Sequence, residues 1–171
     1  FLIHMKKHLL FILLTYLSCQ WAFADYISNR ELRATWFTTH FAIDWPNTKA
    51  IDDTSRERQK KEMTDILDKL VEGNMNAAYM QVRSLSDATY KSSYEPWAKI
   101  LTGTRGKDPG YDPLQFAIDE AHKRGLELHV WINPFRVTSS GLLDTADLVW
   151  KNAGQWIIKY NNSSFKGQII D

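Results

Sequence analysis

The chain has 171 residues, and its 21 basic and 20 acidic side chains give a formal net charge of +1. This balance offers no charge-based case for binding nucleic acid or an anionic membrane surface. The only cysteine, Cys19, excludes an internal disulfide or a thiolate metal site.

The N-terminus has the layout of a secretory signal peptide. A basic pair (KK), an apolar run from Leu9 and a small-x-small site (AFA) ending at Ala24 follow one another. We therefore predict that residues 1–24 are removed after Ala24 and that 25–171 act outside the cytoplasm, in the periplasm, at the cell surface or in the medium. The apolar run is too short to span a bilayer comfortably, which disfavours a retained anchor.

Lipoprotein processing is the second alternative for this segment. Residues 17–19 (LSC) resemble a lipobox that ends at Cys19. Only this route would attach the protein to a membrane.

The first predicted unit is a strand followed by a helix. Residues 31–41 (ELRATWFTTHF) are rich in strand-forming Thr, Trp and Phe, and residues 44–47 (DWPN) form a turn. Thr54 and Glu57 have the spacing of a capping box, and Gly73 ends the predicted helix. Its apolar stripe comprises Met63, Ile66, Leu67, Leu70 and Val71.

The second unit begins with a strand at residues 77–84 (AAYMQVRS). The loop that follows, residues 85–111, is long and aromatic, and loops of this length without regular structure are usually functional or disordered. Asp112 and Pro113 are the N-cap and first residue of the next helix, which ends at Gly125.

The third strand is predicted from Leu126 to Asn133, where Pro134 ends it. Side chains alternate between the two faces of a strand. One alternating set is apolar, which predicts a buried strand, and the other set includes His129 and Trp131. This polar and aromatic set of side chains either lines a cavity or belongs to an ordinary core strand.

Beyond it, residues 142–161 have helical character and residues 167–171 (GQIID) resemble a fourth strand. The alternation of strands and helices predicts an α/β fold with a parallel sheet. A (β/α)₈ barrel and an open doubly wound sheet both fit. The long segments follow the strands, which favours the barrel. A complete barrel takes about 250 residues, so we expect the N-terminal half, about four β/α units, truncated at the C-terminus.

Several chemistries lack their sequence signals. No glycine-rich dinucleotide motif follows the first strand, and residues 103–107 (GTRGK) lack the other residues of a phosphate-binding loop. The histidines at 40, 122 and 129 are scattered without ligand spacing, and no serine nucleophile motif occurs. We therefore predict no metal and no cofactor.

Polar and aromatic residues collect at the predicted strand ends and in the loops after them. Flat aromatic faces beside carboxylates, amides and guanidinium groups suit a sugar, which predicts a poly- or oligosaccharide partner. The candidate binding residues are Asp44, Trp45, Gln81, Arg83, Asp87, Tyr90, Trp97, His129, Trp131, Asn133 and Arg136. Alternatively, Trp45 and Trp97 pack the loops over the sheet.

Glycoside hydrolysis requires two carboxyl groups at a set separation. Asp44, Asp87 and Glu95 are the loop carboxylates present, and none can be paired from the sequence. Replacing Arg83 with alanine is expected to weaken glycan binding with little loss of stability.

A set of short motifs is distributed along the chain: residues 31–36 (ELRATW), 44–46 (DWP), 81–83 (QVR), 87–90 (DATY), 94–97 (YEPW), 101–103 (LTG), 108–113 (DPGYDP), 121–125 (AHKRG) and 131–136 (WINPFR). In combination these motifs resemble one bacterial family, the glycosyl-hydrolase-like 10 family. The resemblance implies a TIM-barrel hydrolase of bacterial glycans, with peptide-free peptidoglycan strands as a candidate substrate.

The resemblance also implies which residues take part. It assigns substrate positioning to Arg83, Asp87, Asn133 and Arg136, and it places the main catalytic pair in later strands, beyond Asp171. Glu95 is the catalytic candidate within this chain. The alternative function is a non-catalytic glycan-binding protein.

Overall fold

The computed structural model describes residues 31–138, 147–153, 155, 157–161 and 166–170, the last two ranges and Ala153 by their backbone only. Every element below belongs to the compact unit of residues 33–171. The predicted signal segment, residues 1–24, lies outside the described residues. No helix in the described part is long and apolar enough to cross a bilayer.

A parallel three-stranded sheet forms the centre of the fold. Its strands are β1 (Ala34–Phe37), β2 (Ala77–Arg83) and β3 (Glu127–Ile132), hydrogen-bonded in that order. The predicted parallel α/β arrangement is confirmed. β1 is shorter than predicted, because the chain after Phe37 turns to hydrogen-bond the Gln81 side chain.

Two helices, α1 (Asp53–Glu72) and α3 (Pro113–Lys123), supply the apolar core on one face of this sheet. Each buried large side chain contributes about 1.5–3 kcal/mol relative to an exposed one. The core combines Met63 and Leu67 of α1 with Ala117 and Ala121 of α3 and with Ala78, Met80 and Val82 of β2. This clustering confirms the apolar stripe predicted for the first helix, although Val71 at its end is exposed.

The start of α1 differs from the prediction. The N-cap is Asp52, whose carboxylate accepts from the Ser55 backbone N–H at 2.7 Å, while Ser55 Oγ accepts from the Asp52 N–H at 3.0 Å. The capping box assigned to Thr54 and Glu57 is therefore wrong. Asp52 takes the position because its backbone is extended (φ −146°) and its short side chain reaches the first turn. The predicted caps Gly73 and Asp112 are confirmed.

The long loop after β2 is ordered and includes a short helix, α2 (Lys99–Thr102). Its anchor is Gln59 of α1, which is fully buried. The Gln59 side-chain amide donates to the carbonyls of Thr48 and Leu101 at 2.6 and 2.9 Å, and its oxygen accepts from the Tyr111 hydroxyl at 2.6 Å. One buried amide on α1 thus holds two points of this loop, Leu101 and Tyr111, and also the segment before α1 at Thr48.

β3 lies at the edge of the described parallel sheet. Val130 and Ile132 are each 47% exposed, so the expectation of a fully buried strand is wrong for the described residues. The reason is that no further parallel strand pairs with β3 in the described part of the chain. On the opposite face, Trp36 stacks on Tyr79 at 4.5 Å and Tyr79 stacks on His129 at 4.7 Å.

The last described elements form a second, antiparallel sheet. Its strands are β4 (Arg136–Thr138), β5 (Ile157–Asn161) and β6 (Lys166–Ile170), in the order β4-β6-β5, and the helix α4 (Leu148–Ala153) lies between β4 and β5 in the chain. The helix predicted for 142–161 is therefore wrong over 157–161, where β-branched and aromatic residues (IIKYN) favour a strand, and residues 142–146 lie outside the described part. The predicted fourth strand exists, but it joins this antiparallel sheet and does not extend the parallel one.

Candidate functional site

A cavity of about 800 Å³ lies beyond the C-terminal ends of β1 and β2. This volume is within the usual range for small-molecule sites, about 300–1,000 Å³. Its polar wall includes Thr39, His40, Ser84, Asp87, Lys99 and Arg105. These residues come from the loops after β1 and β2, so the cavity occupies the edge at which parallel α/β folds bind ligands.

Left-handed backbone at non-glycine residues occurs in the same two loops. Phe41 and Ala42 after β1 have φ of 55° and 53°, and Ser86 after β2 has φ of 50°. Such conformations cost about 1–3 kcal/mol each and persist where the surrounding structure enforces them, often at functional sites. The strain here adjoins the cavity, since Phe41 is one of its lining residues.

Gln81 positions the loop that follows β1. Its side-chain oxygen accepts from Thr38 Oγ1 at 2.6 Å and from the backbone N–H groups of Thr39 and His40 at 3.1 and 2.9 Å. Two backbone donors identify this atom as the oxygen. Gln81 is only 1% exposed, so the structure assigns it a positioning role at the site.

Arg83, at the end of β2, is buried among protein partners. Its Nε donates to Glu95 Oε1 at 2.5 Å, Nη2 donates to Ser86 Oγ at 2.7 Å, and Nη1 donates to the Asn133 carbonyl. The guanidinium therefore joins β2, the loop after it and the end of β3. Glu95 lies in a smaller cavity of about 400 Å³, which Trp97 and Asp147 also line.

A second arginine, Arg105, connects two carboxylates. Its Nε donates to Asp147 Oδ2 at 2.7 Å, its Nη2 donates to the Ser86 carbonyl at 2.7 Å, and its Nη1 lies 3.4 Å from Asp87 Oδ2. Burial raises the pKa of the Asp87 carboxyl, and the positive charge of Arg105 opposes that shift.

Sequence reasoning missed Arg105 and Asp147. Arg105 lies in a glycine-bounded turn without periodicity, and Asp147 falls in a segment predicted to be helix interior. The structure instead makes Asp147 the cap of α4, where its Oδ1 accepts from the Val149 N–H at 2.9 Å. An aspartate before an apolar run was the available signal.

His40 was passed over as a structural residue, yet it lines the larger cavity. Its Nδ1 lies 2.7 Å from Ser84 Oγ, and its Nε2 lies 3.5 Å from Arg136 Nη1. Arginine can only donate, so the Arg136 contact favours the neutral tautomer that carries its proton on Nδ1, toward Ser84.

Burial and then the positive charge of Arg136 lower the pKa of His40 below the ordinary value of 6.5, and the charge of Asp87 opposes this shift. As the pH falls, the unfolded chain therefore binds a proton at this residue before the folded chain does. The contribution of His40 to stability is complete above pH 6.5 and is lost as the pH falls through the folded-state pKa. We expect denaturant unfolding to show a greater loss of stability for the wild type than for His40→Asn between about pH 7.5 and about pH 5.

The matched control for this measurement is His122→Asn, at an exposed position on α3. It should lose as much stability over the same interval as the wild type. A His40→Asn profile parallel to that of the wild type would contradict the assignment.

The remaining candidates occupy different surroundings. Trp45 is 1% exposed, and its indole N–H donates to the Gln59 carbonyl at 3.1 Å. Neither face of the ring is open to a sugar in this structure, which favours the packing alternative, and substrate binding by Trp45 stays a prediction. Asp44 is exposed, and its Oδ2 accepts from the Thr38 N–H at 2.8 Å. Tyr90 and Trp97 pack partly buried against the core.

His129 and Trp131 lie on the open face of the sheet, away from the residues that line the larger cavity. The Trp131 indole N–H donates to Asn133 Oδ1 at 2.9 Å. Of the predicted set, Asp87 lines the larger cavity, while Glu95 and Trp97 line the smaller one. Among the described residues no group of three His, Cys, Asp or Glu side chains is arranged to hold a metal ion.

Comparison with known proteins identifies the family. The model of the family "Glycosyl hydrolase-like 10" matches residues 31–164. The chain belongs to the glycosyl hydrolase-like 10 family. The resemblance seen in the short motifs is thereby confirmed.

Two curated relatives agree with this membership. Glycosyl hydrolase YngK of Bacillus subtilis is 50% identical over 111 residues, 65% of this chain and 21% of the relative. Glycosyl hydrolase DigH of Escherichia coli K12 is 42% identical over 115 residues, 65% of this chain and 26% of the relative. The chain thus spans about a fifth to a quarter of these relatives. The family and the names of these relatives together indicate a glycan-acting function.

Proposed function

We propose that this chain is the N-terminal part of an exported glycoside hydrolase that acts on a bacterial glycan, with peptide-free peptidoglycan strands as its substrate. The observation that carries the proposal is a family match that coincides with a polar cavity at the C-terminal ends of parallel strands. Barrel hydrolases build their sites from the loops at this end of the strands. The cavity also presents an exposed aromatic ring, Phe41, of the kind that stacks on sugars.

The scaffold proposed for this enzyme is a (β/α)₈ barrel of which β1 to β3 are the first strands. Three parallel strands in chain order, with α1 and α3 packed on one face, suit such a barrel. The half-exposed Val130 and Ile132 leave the β3 edge apolar, and Trp36 is 59% exposed on the inner face. Further parallel strands would cover both surfaces.

The chemistry proposed is carboxylate acid and base catalysis, with Glu95 as the candidate within this chain and the principal pair further along it. Arg83 fixes the Glu95 carboxylate at 2.5 Å in a cavity of about 400 Å³. A second carboxylate within the separation that glycosidases use would complete the site.

A specific observation favours the second candidate function, a glycan-binding protein without catalysis. Each of the buried loop carboxylates, Asp87, Glu95 and Asp147, has a guanidinium partner. Carboxylates held in this way serve structure, and the aromatic surface alone would then hold the glycan.

The two functions are separated by incubating the complete gene product with purified peptide-free glycan strands. Release of soluble sugars, detected by liquid chromatography and mass spectrometry, supports the hydrolase. Retention of the strands in a pull-down without any release supports the binding protein. Glu95→Gln should reduce the release if Glu95 takes part, and unchanged release would remove it from the mechanism.

Export is tested by mass spectrometry of the protein isolated from its host. We expect a mature N-terminus at position 25, after Ala24. A lipid-modified N-terminus at Cys19 that disappears in Cys19→Ser would establish the lipoprotein route. An uncleaved N-terminus would contradict both.

A further inference from the structure

The charged groups on the wall of the larger cavity differ in how many hydrogen-bond and ion-pair partners they have. Arg105 directs its guanidinium at Asp147, Asp87 and two backbone carbonyls. Both ring nitrogens of His40 have partners. Asp87 is paired with Arg105 and accepts from the backbone N–H groups of Leu85 and Lys99. These groups have little bonding capacity left for a ligand.

Lys49 and Lys99 are different. Both line the cavity, and among the described residues neither ammonium has an ion-pair or hydrogen-bond partner. Arg105 pairs with two carboxylates, Asp87 and Asp147, so the two lysines leave this group of five side chains with one net positive charge. A ligand that displaces water here would bury ammonium groups, which is costly unless the ligand brings negative charge.

The placement of Lys49 depends on Gly103, which follows the end of α2 and has a φ of +87°. A Cβ built on Gly103 would lie 3.1 Å from Lys49 Cδ, so the lysine stem passes directly over the glycine. Lys99 begins α2, and its backbone N–H donates to Asp87 Oδ2 at 3.4 Å. The stem of Lys49 and the backbone of Lys99 are therefore each placed at the cavity wall by a neighbouring residue.

The same cavity has an apolar surface suited to a ring. Phe41 is 72% exposed although it lines the cavity, and its left-handed backbone (φ 55°) holds it there. An aromatic face beside two ammonium groups matches a pyranose that carries a carboxylate: the ring stacks and the acid pairs with the lysines.

We propose that this cavity is a subsite for a carboxylate-bearing sugar unit, with Lys49 and Lys99 as the residues that select the acid. The inference rests on the proposed glycan function and deepens it, since it names the feature of the glycan that the protein reads. In peptide-free peptidoglycan strands that feature is the free lactyl carboxylate of each muramic acid residue.

The test uses the complete gene product and isothermal titration with three tetrasaccharides. They are the peptide-free peptidoglycan unit with free carboxylates, the same unit as its methyl ester, and neutral chitotetraose. We expect the free acid to bind roughly tenfold or more tightly than the ester, and the preference to weaken as salt is added. Lys49→Ala and Lys99→Ala should each reduce affinity for the acid by roughly tenfold and leave that for the ester unchanged.

Lys107→Ala is the matched control, an exposed lysine of the same loop that does not line the cavity. It should keep the full preference for the acid. Equal affinity for acid and ester, or a preference that survives both cavity-lysine variants, overturns the subsite.

The outcomes separate this inference from the proposed function. Cleavage of glycan strands without preference for the acid overturns the subsite alone. Preference for the acid without cleavage supports the subsite and overturns the hydrolase. Failure to bind any of the three sugars overturns both.

Discussion

Replacing Arg83 with alanine should lower the free energy of unfolding by about 3–5 kcal/mol, because it leaves the Glu95 carboxylate without its buried partner. Both side chains are largely buried, at 9% and 14% exposure, and the guanidinium also holds Ser86 and the end of β3. Urea unfolding followed by circular dichroism measures the effect. The sequence-based expectation of little stability loss is revised for this reason.

A double variant makes this prediction specific. Arg83→Ala combined with Glu95→Gln removes both charges, so part of the lost stability should return, with a coupling of about 0.5–3 kcal/mol. Arg58→Ala, at an exposed position on α1, is the control and should change stability by less than about 0.5 kcal/mol. If Arg83→Ala unfolds like Arg58→Ala while glycan affinity falls, Arg83 is a ligand-binding residue and the structural role is wrong.

Replacing Trp45 with alanine should cost about 3–5 kcal/mol of stability, the usual range for deleting a buried aromatic side chain. The indole packs in the core, and its N–H bonds the Gln59 carbonyl. Trp45→Phe keeps most of the volume but loses this hydrogen bond, so its cost should be smaller, about 1–3 kcal/mol. Thermal unfolding of the three proteins gives the order.

Exposed aromatic residues provide the comparison. Tyr94→Ala removes a ring that is exposed in the loop after β2 and should leave stability within about 0.5 kcal/mol of the wild type. A Trp45→Ala protein that melts like Tyr94→Ala but loses glycan binding would restore the stacking role first predicted for Trp45.

Local patterns in the sequence were sufficient for the regular elements near the start of the chain. The apolar stripe of α1, the Asp112-Pro113 start of α3 and the three parallel strands were all predictable, because periodicity and caps act over a few residues. The N-cap was predicted at Thr54, two positions after the actual cap Asp52, because several polar residues there could each begin a helix. The strand β5 was harder, because a short apolar run suits a helix or a strand equally.

The composition of the site could be predicted only in part. The sequence identified strand ends rich in Asp, Arg, Gln and aromatic residues, but it did not reveal which side chains were buried. Trp45 carries the same local signal whether it binds a sugar or fills the core, and the deciding contact is with Gln59 on the following helix.

By itself the sequence determined the family, the α/β class and the order of the first strands and helices, because short motifs, caps and hydrophobic periods encode them locally. Only the tertiary structure decided which charges are paired. Arg105 meets Asp147 across 42 residues, and Arg83 meets the Asn133 carbonyl across 50. Such pairs form when parallel crossovers bring distant strand ends to one edge, and no local preference of either residue specifies its partner. Likewise, only the tertiary structure shows that Lys49 and Lys99 line one cavity without an ion-pair partner among the described residues.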